Sequence, residues 1–354
     1  MRYIGNKENI LEKIYAILTS NNVVGDSFFD FFSGTTNVAK FYKKKGYRVY
    51  SSDLMYMSYC MQKAYIENNK EPTFKKLIPT LPNIPPNTLF TTPLDTIVNY
   101  LNTLDDVKGF IYRNYTPEGT INLDQPRMYF SSENGLRIDA IRQKIEEWNS
   151  KKLITESEYY ILLTCLIETV SFYANVAGVY AAFHKKWDPR ATKRLVLRTI
   201  KTYNNNKENI VYNTNSLNLI HNIDVDILYL DPPYNGRQYL PNYHLLETIA
   251  KYDNPTIKGI TGIRDYEGKK STFCNAKTAL RDLEKVANFA KFKYLVMSYN
   301  SEGIMNQEDI IAILSKYGKV KVEQFQYLRF KSNNKGLAAS KKHVYEQLYI
   351  LTKW

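Results

Sequence analysis

Residues 28–53 read FFDFFSGTTNVAKFYKKKGYRVYSSD. Phe28-Phe29-Asp30-Phe31-Phe32 is a short apolar run of the kind that parallel sheets bury on both faces. Ser33-Gly34-Thr35-Thr36 turns the chain with small residues. Asn37 to Lys45 has a helical pattern, and Gly46 stops it, since glycine adopts the left-handed conformation that ends many helices. Tyr47 to Asp53 reads as a second strand and Leu54 to Asn69 as a second helix. Strand–helix–strand–helix in this order predicts a doubly wound α/β sheet. Upstream, Ile10, Leu11, Ile14, Ile17 and Leu18 predict a helix over 7–20.

The alternation breaks at Glu71. Pro72, Pro79, Pro82, Pro85, Pro86 and Pro93 follow in a linker-like stretch. Residues 95–200 read as mainly helical, most clearly over 138–148 and 156–183, without strand–helix alternation, and so as an insertion between two sheet strands. Alternation returns at Asn209-Ile210-Val211-Tyr212 and at the apolar strand Val225 to Leu230. A helix over 276–291 leads to a strand at 294–299, and another helix covers 307–317. Two final strands, 319–329 and 343–352, predict a closing antiparallel pair. The expected organisation is 1–71 as the first part of one domain, 72–207 as an insertion and 208–354 as the second part.

The chain has 354 residues, with Lys plus Arg at 48 against Asp plus Glu at 35 and a net charge of +13. Hydrophobic content of 44% excludes a wholly disordered chain. The basic excess favours a polyanionic partner, nucleic acid first. It is concentrated in residues 185–207, where Asp188 faces eight basic residues, and in 314–343, where Glu323 does the same. Lys185, Lys186, Arg190, Lys193, Arg194, Lys331 and Lys335 are therefore candidate phosphate contacts; Arg113, Arg127 and Arg137, in the inserted region, are candidate base readers. Read alone, each run also suits a solvated surface. Cys60, Cys165 and Cys274 are scattered, as in a reduced cytoplasmic protein. The four histidines lack ligand spacing, so no metal is expected. The most apolar stretch, 159–183, is interrupted by Glu168 and Asn175, so no membrane span is expected.

The chemistry-bearing residues fall at the ends of predicted strands, where open α/β sheets build their sites. Asp231-Pro232-Pro233-Tyr234 follows the apolar strand at 225–230. Two prolines remove two backbone donors and fix φ, so an aspartate oxygen and a proline carbonyl stand as rigid acceptors beside an aromatic ring. That set fits the amine of a flat base, with the acceptors on its N–H groups and the ring on its face. A strand cap with a Pro-Pro turn would use the same residues. Asp30 with the turn at Gly34 can hold an ammonium group near closely approaching backbone. Asp53, about twenty residues on, can reach ribose hydroxyls or cap the next helix. The absence of G-x-G-x-x-G disfavours nicotinamide cofactors. Lys7, before the first helix, can pair with a carboxylate.

Taken together these residues resemble the N6-adenine DNA methyltransferases whose cofactor motif precedes the catalytic motif, over nearly the whole chain. Tyr3-Ile4-Gly5-Asn6-Lys7 resembles the family's N-terminal cofactor motif. Asp30 to Thr36 resembles its glycine-turn motif, with Thr36 where a second glycine is common. Asp53 matches the ribose acid. Asn213-Thr214-Asn215-Ser216 resembles the segment facing the cofactor adenine, with Asn215 in place of the usual acid. Asp231-Pro232-Pro233-Tyr234 matches the catalytic tetrad, and Asn235 to Tyr239, including Arg237, with Tyr243 to Glu247, resembles a branch found in restriction–modification systems.

The resemblance implies a Rossmann-like methyltransferase sheet, mostly parallel with an antiparallel final strand, plus a mainly helical inserted target-recognition region. It implies S-adenosylmethionine as methyl donor and double-stranded DNA as substrate, with a cognate restriction endonuclease as a partner. The expected catalytic residues are Asp231, Pro232 and Tyr234. The expected cofactor contacts are Tyr3, Lys7, Asp30, Phe32, Gly34, Thr36, Asp53, Asn215 and Asp231; Arg237 joins the DNA contacts. An RNA or protein N-methyltransferase using the same tetrad, and a non-catalytic DNA-binding protein on this fold, stay open on the sequence alone.

Overall fold

The computed structural model describes residues 3, 5–82, 91–328 and 343–354. In chain order the elements are α1 (Leu11–Ser20), β1 (Ser27–Asp30), α2 (Asn37–Lys44), β2 (Arg48–Ser52), α3 (Tyr56–Gln62), α4 (Pro93–Asn102), α5 (Phe110–Tyr115), α6 (Ser132–Ser150), α7 (Glu156–Tyr173), β3 (Ile210–Tyr212), β4 (Asp224–Leu230), α8 (Tyr239–Lys251), β5 (Ile257–Lys258), β6 (Ile263–Arg264), α9 (Ala276–Phe289), β7 (Lys291–Asn300), α10 (Gln307–Leu314), β8 (Gly318–Leu328) and β9 (His343–Lys353). They divide into a sheet unit, Ile4–Gln62, Asn205–Tyr239 and Glu267–Trp354, and a helical unit, Tyr3, Lys63–Asn204 and Leu240–Tyr266.

The sheet unit is α/β, with strand order β3-β2-β1-β4-β7-β9-β8. β1 runs parallel to β2 and β4, β2 to β3, and β4 to β7, while β9 is antiparallel to both β7 and β8. The sheet is thus mostly parallel with an antiparallel final strand, as the sequence predicts. Strand order reverses between β1 and β4, where Asp30 pairs with Tyr229. The carboxyl ends of those two strands are therefore the switch point where such sheets bind ligands. The parallel strands are apolar on both faces because both are covered. On one face Phe29, Leu228, Leu230, Leu295 and Met297 pack with Ala279, Leu283 and Val286 of α9 and Ile310 and Leu314 of α10. On the other, Phe28 stacks on Tyr42 of α2 with ring centroids 3.7 Å apart. Gly46 takes φ +90° just after α2, as its helix-ending position requires.

The helical unit holds its helix ends with side chains. Thr155 and Glu158 form a reciprocal capping box on α7, and Thr92 and Asp95 form one on α4, with Pro93 in its first turn. The sequence predicts one helix over 156–183, but α7 stops at Tyr173. Asn175 takes the chain over: its backbone N–H donates to Tyr129 O and its side-chain amide to Met128 O and His184 O. Leu240–Tyr266, kept within 208–354 on sequence alone, folds with the inserted helices. The buried Arg142 guanidinium of α6 donates to the Ile249 and Ala250 carbonyls at the end of α8. That end carries partial negative charge, so a cation is well placed there. α8 has no sequence signal because Pro241 lies in its first turn and Tyr243 is kinked out of helical geometry at φ −129°. Among the described residues no helix is long and apolar enough to cross a membrane, and no group of three or more His, Cys, Asp or Glu is placed to hold a metal.

Candidate active site

Asp231 follows directly on β4, and Pro232 and Pro233 are buried behind it. The turn they enforce brings Tyr234 back onto the aspartate: its hydroxyl donates to Asp231 Oδ1 at 2.6 Å. The ring meets Tyr299 edge-on, with centroids 5.6 Å apart. Lys7 arrives from the other end of the chain. Its ammonium donates to the Tyr234 hydroxyl, lies 4.8 Å from the Tyr234 ring centroid and stands 3.4 Å from Asp231 Oδ1. It also donates to Glu346 Oε1 on β9 at 2.5 Å. Gly5 takes φ +76°, a left-handed backbone that glycine adopts freely, where the segment runs beside Tyr234; a Cβ there would make only ordinary contacts, 3.5 Å from the Tyr234 ring and the Tyr239 hydroxyl. Asn6 fixes the same segment by accepting from Asn37 Nδ2 at the start of α2, at 2.8 Å.

Lys7 and Glu346 are almost wholly buried, and Asp231 keeps a side-chain exposure of 14%. Burial pushes the Asp231 carboxyl up to about 6, against the pull of Lys7 and with a further push from Glu346. Burial and the neighbouring Asp231 hold Tyr234 well above the usual phenol range, so it stays a neutral hydroxyl.

The turn after β1 forms the second half of the site. Asp30 is fully buried; its Oδ2 accepts from Ala39 N at the start of α2 at 3.2 Å, while its Oδ1 has no hydrogen-bond partner. Burial, then the charges of Asp231 and Asp53, push its carboxyl up to about 8. Gly34 at φ +49° and Thr36 at φ +63° both take left-handed backbone. Glycine does this freely, whereas a β-branched residue is strained there. Thr36 is therefore a point of stored strain. Asp53 joins the turn to the end of β2: Oδ2 accepts from Gly34 N and Oδ1 from Met55 N, each at 2.8 Å. A carboxylate accepts about four hydrogen bonds in all. Phe32 is half-buried, edge-on to Phe273 at 5.1 Å. Asn215 Oδ1 accepts from Leu217 N, capping the short turn after β3.

Tyr3 belongs to the helical unit, where its ring stacks on Tyr243 at 4.2 Å. Lys185, Lys186, Lys193, Arg194 and Arg237 are exposed. Arg190 is half-buried and forms a two-pronged pair with Asp188. Lys331 and Lys335 lie outside the described residues. Arg127 differs from its expected role. It is buried, and its guanidinium donates to the carbonyls of Ile260, Gly259 and Asn114 at 2.9–3.0 Å. Those bonds clamp the β5–β6 turn to the end of α5, leaving the group turned toward protein backbone.

Sequence reasoning misses the side chains that support the site. Glu346 and Ser298 complete the Lys7 network, with the Ser298 hydroxyl donating to Glu346 Oε1. Ser216 Oγ donates to Phe31 O at 2.6 Å and shares a 2.6 Å hydrogen bond with Ser52 Oγ, tying three strand ends together under the turn. Glu346 carries a readable signal: it is the acid that interrupts the otherwise uncharged run Tyr345 to Thr352.

A model of the D12 class N6 adenine-specific DNA methyltransferases matches residues 3–313. The chain belongs to this family. It is 40% identical over 358 residues to the type II methyltransferase M.FokI of Planomicrobium okeanokoites, covering 100% of this chain and 53% of that protein. It is 37% identical over 360 residues to the modification methylase StsI of Streptococcus sanguinis, covering 100% of this chain and 52% of that one. It thus spans about half the length of these two. The type II methyltransferase M.NlaIII of Neisseria lactamica matches end to end, at 36% identity over 361 residues, 100% of this chain and 99% of the relative. Within the matched span, Asp231-Pro232-Pro233-Tyr234 lies at the sheet's switch point with the Lys7 ammonium against it.

Proposed function

We propose that this D12 methyltransferase transfers a methyl group from S-adenosylmethionine to the N6 amine of adenine in a specific double-stranded DNA sequence. The observation that carries the reading is the half-buried Asp231 carboxylate on its Pro-Pro turn, with the Tyr234 ring and the Lys7 ammonium against it.

The residues fit the methyl donor. The unpartnered, buried Asp30 Oδ1 suits an ammonium group, the Gly34 turn suits close approach, and Asp53 suits vicinal hydroxyls. Lys7, Phe32, Thr36 and Asn215 line the same strand ends, and Tyr3 keeps its expected role from sequence alone. The donor supplies an electrophilic methyl on a sulfonium centre. Because burial holds Asp30 at about 8, most of it is protonated at pH 7. An arriving ammonium reverses that preference, and Asp30 gives up its proton. Donor binding at pH 7 is therefore expected to release roughly 0.9 proton, measured as a difference in calorimetric heat between buffers of unequal ionisation enthalpy. Asp30→Asn should remove the difference; equal heats for the unmutated protein would contradict the assignment.

The target amine lies inside a stacked duplex, so the adenine must rotate out, at roughly a few kcal/mol. Stacking on Tyr234 offsets about 1–3 kcal/mol of that. Asp231 and the Pro232 carbonyl each accept one N–H of the amine. Held this way, the nitrogen leaves the plane of its ring and its lone pair turns toward the methyl. Acceptors fixed in advance where positive charge develops provide the main electrostatic stabilisation, and alignment supplies the rest.

The inserted helical region would carry target recognition. Exposed Lys185, Lys186, Lys193 and Arg194, together with Arg237, Lys331 and Lys335, would meet phosphate. Replacing Lys185, Lys186 and Lys193 by Ala should flatten the dependence of log K on log salt by about 0.9 for each phosphate no longer neutralised, read by fluorescence anisotropy; an unchanged slope would remove these residues from the interface. A restriction endonuclease reading the same site is the implied partner, and the cytoplasm the implied setting. Incubation with labelled donor and equal masses of duplex DNA, RNA and protein tests the substrate class. Label should enter DNA; label entering RNA or protein would replace this reading.

A further inference from the structure

Glu346 is a fully buried acid near the start of β9, paired with Asn300 at the end of β7. Its Oε1 accepts from Lys7 at 2.5 Å and from the Ser298 hydroxyl, while Oε2 is buried without a hydrogen-bond partner. An acid buried in this way is costly to keep unless a charge partner answers it. The partner is Lys7, and the distances are unequal. The Lys7 ammonium is 2.5 Å from Glu346 and 3.4 Å from Asp231. It therefore leans toward a carboxylate with no part in the chemistry and stands back from the one that meets the amine. An ammonium any nearer would form a full charged hydrogen bond with Asp231 and compete with the substrate N–H for its lone pairs.

We propose that Glu346 is a positioning residue for methyl transfer: it holds the Lys7 ammonium back from Asp231, so that Asp231 keeps an acceptor for the adenine amine. The inference rests on the reading of Asp231 as the amine acceptor. The charged and titratable groups facing Asp231 are Lys7 from the N-terminal segment, Tyr234 in its own turn, Glu346 on β9, Asp30 at the end of β1 and Tyr229 on β4. Lys7 lowers the Asp231 carboxyl and Glu346 raises it. With the Glu346 charge gone, Lys7 closes on Asp231, and both changes move the carboxyl the same way, downward.

The test uses the full chain and the isosteric, uncharged variant Glu346→Gln. The carboxyl of Asp231 is followed by ¹³C NMR titration, with its resonance assigned by its disappearance in Asp231→Asn. The midpoint should fall by about one pH unit or more in Glu346→Gln. Turnover should fall about 10- to 100-fold with KM for DNA held within about twofold. Glu346→Asp, which keeps the charge, should leave the midpoint close to its original value. Should Glu346→Gln not fold, Glu346→Thr removes the same charge with a smaller, strand-forming side chain, and its midpoint must also fall. An unmoved midpoint in a folded variant, even with reduced turnover, would show a merely structural acid and overturn the proposal. An unmutated protein that labels no adenine would overturn the methyltransferase reading instead, while the titration still decides whether Glu346 restrains Lys7.

Discussion

Asp231→Ala is expected to lower the rate of methyl transfer by roughly 10³-fold or more, the scale of losing a preorganised charge-stabilising group, while duplex binding stays within about threefold. The reason is local. Asp231 is the carboxylate at the switch point with residual exposure, and its oxygen is already positioned by Tyr234 at 2.6 Å. Alanine removes the acceptor that pulls on one N–H of the amine and leaves the phosphate contacts untouched. Asp231→Asn keeps one acceptor oxygen without the charge and should lose less. Because burial pushes Asp231 up to about 6, the accepting form is lost as pH falls through that value. The plot of kcat/KM in the unmutated enzyme should therefore carry an acid limb near pH 6. Single-turnover assays across pH check both points. A variant with near-normal turnover would remove Asp231 from the chemistry.

Lys7→Met is expected to be the most destabilising single change in the site. Lys7 is 3% exposed between two carboxylates, one of them fully buried. Removing one partner of a buried pair costs about 3–5 kcal/mol, because the other charge stays behind without compensation. At about 2–4 °C per kcal/mol for a domain of this class, Tm should fall by roughly 6–20 °C. The pH dependence has a definite sign. Lys7 lowers the Asp231 carboxyl, so its loss raises that group further above its unfolded value. An acid whose folded value is raised stabilises the fold fully while protonated, and that contribution disappears as pH rises through the folded value. The deficit should thus be smaller at pH 5 than at pH 8. Adding Glu346→Gln to Lys7→Met should recover much of the stability, since the uncompensated charge is gone. Thermal melts of the unmutated protein and these two variants at two pH values check this. A Tm within about 2 °C of the unmutated protein at pH 8 would mean that the buried pair is dispensable.

The sheet was legible because its signals are local. Runs such as Phe28 to Phe32 and Val225 to Leu230 are, apart from Asp30 and Asp226, apolar on both faces, as a doubly covered strand requires. The turn at Asp231 to Tyr234 was legible for the same reason: two prolines after such a strand fix a geometry within four residues. What stayed hidden was set by distance along the chain. Lys7 and Glu346 are 339 residues apart, and no periodicity links them. Arg127 looks like a base reader because it lies in the inserted region, but two of its three carbonyl partners come from more than 130 residues away. α8 was hidden by Pro241 and by the kink at Tyr243. The end of α7 was hidden because the apolar pattern continues past Tyr173, while Asn175 reorganises the backbone through hydrogen bonds that only the folded chain supplies.

The central claim is that the pocket around Asp231 grips an extruded adenine by its amine beside a methyl donor. The most direct measurement is to incubate duplex DNA with donor carrying a labelled methyl, digest the DNA to nucleosides, and locate the label by mass spectrometry. The unmutated protein should yield labelled N6-methyladenosine as its deoxynucleoside, and Asp231→Ala should yield almost none. Label on cytosine, or an equal yield from both proteins, would contradict the account.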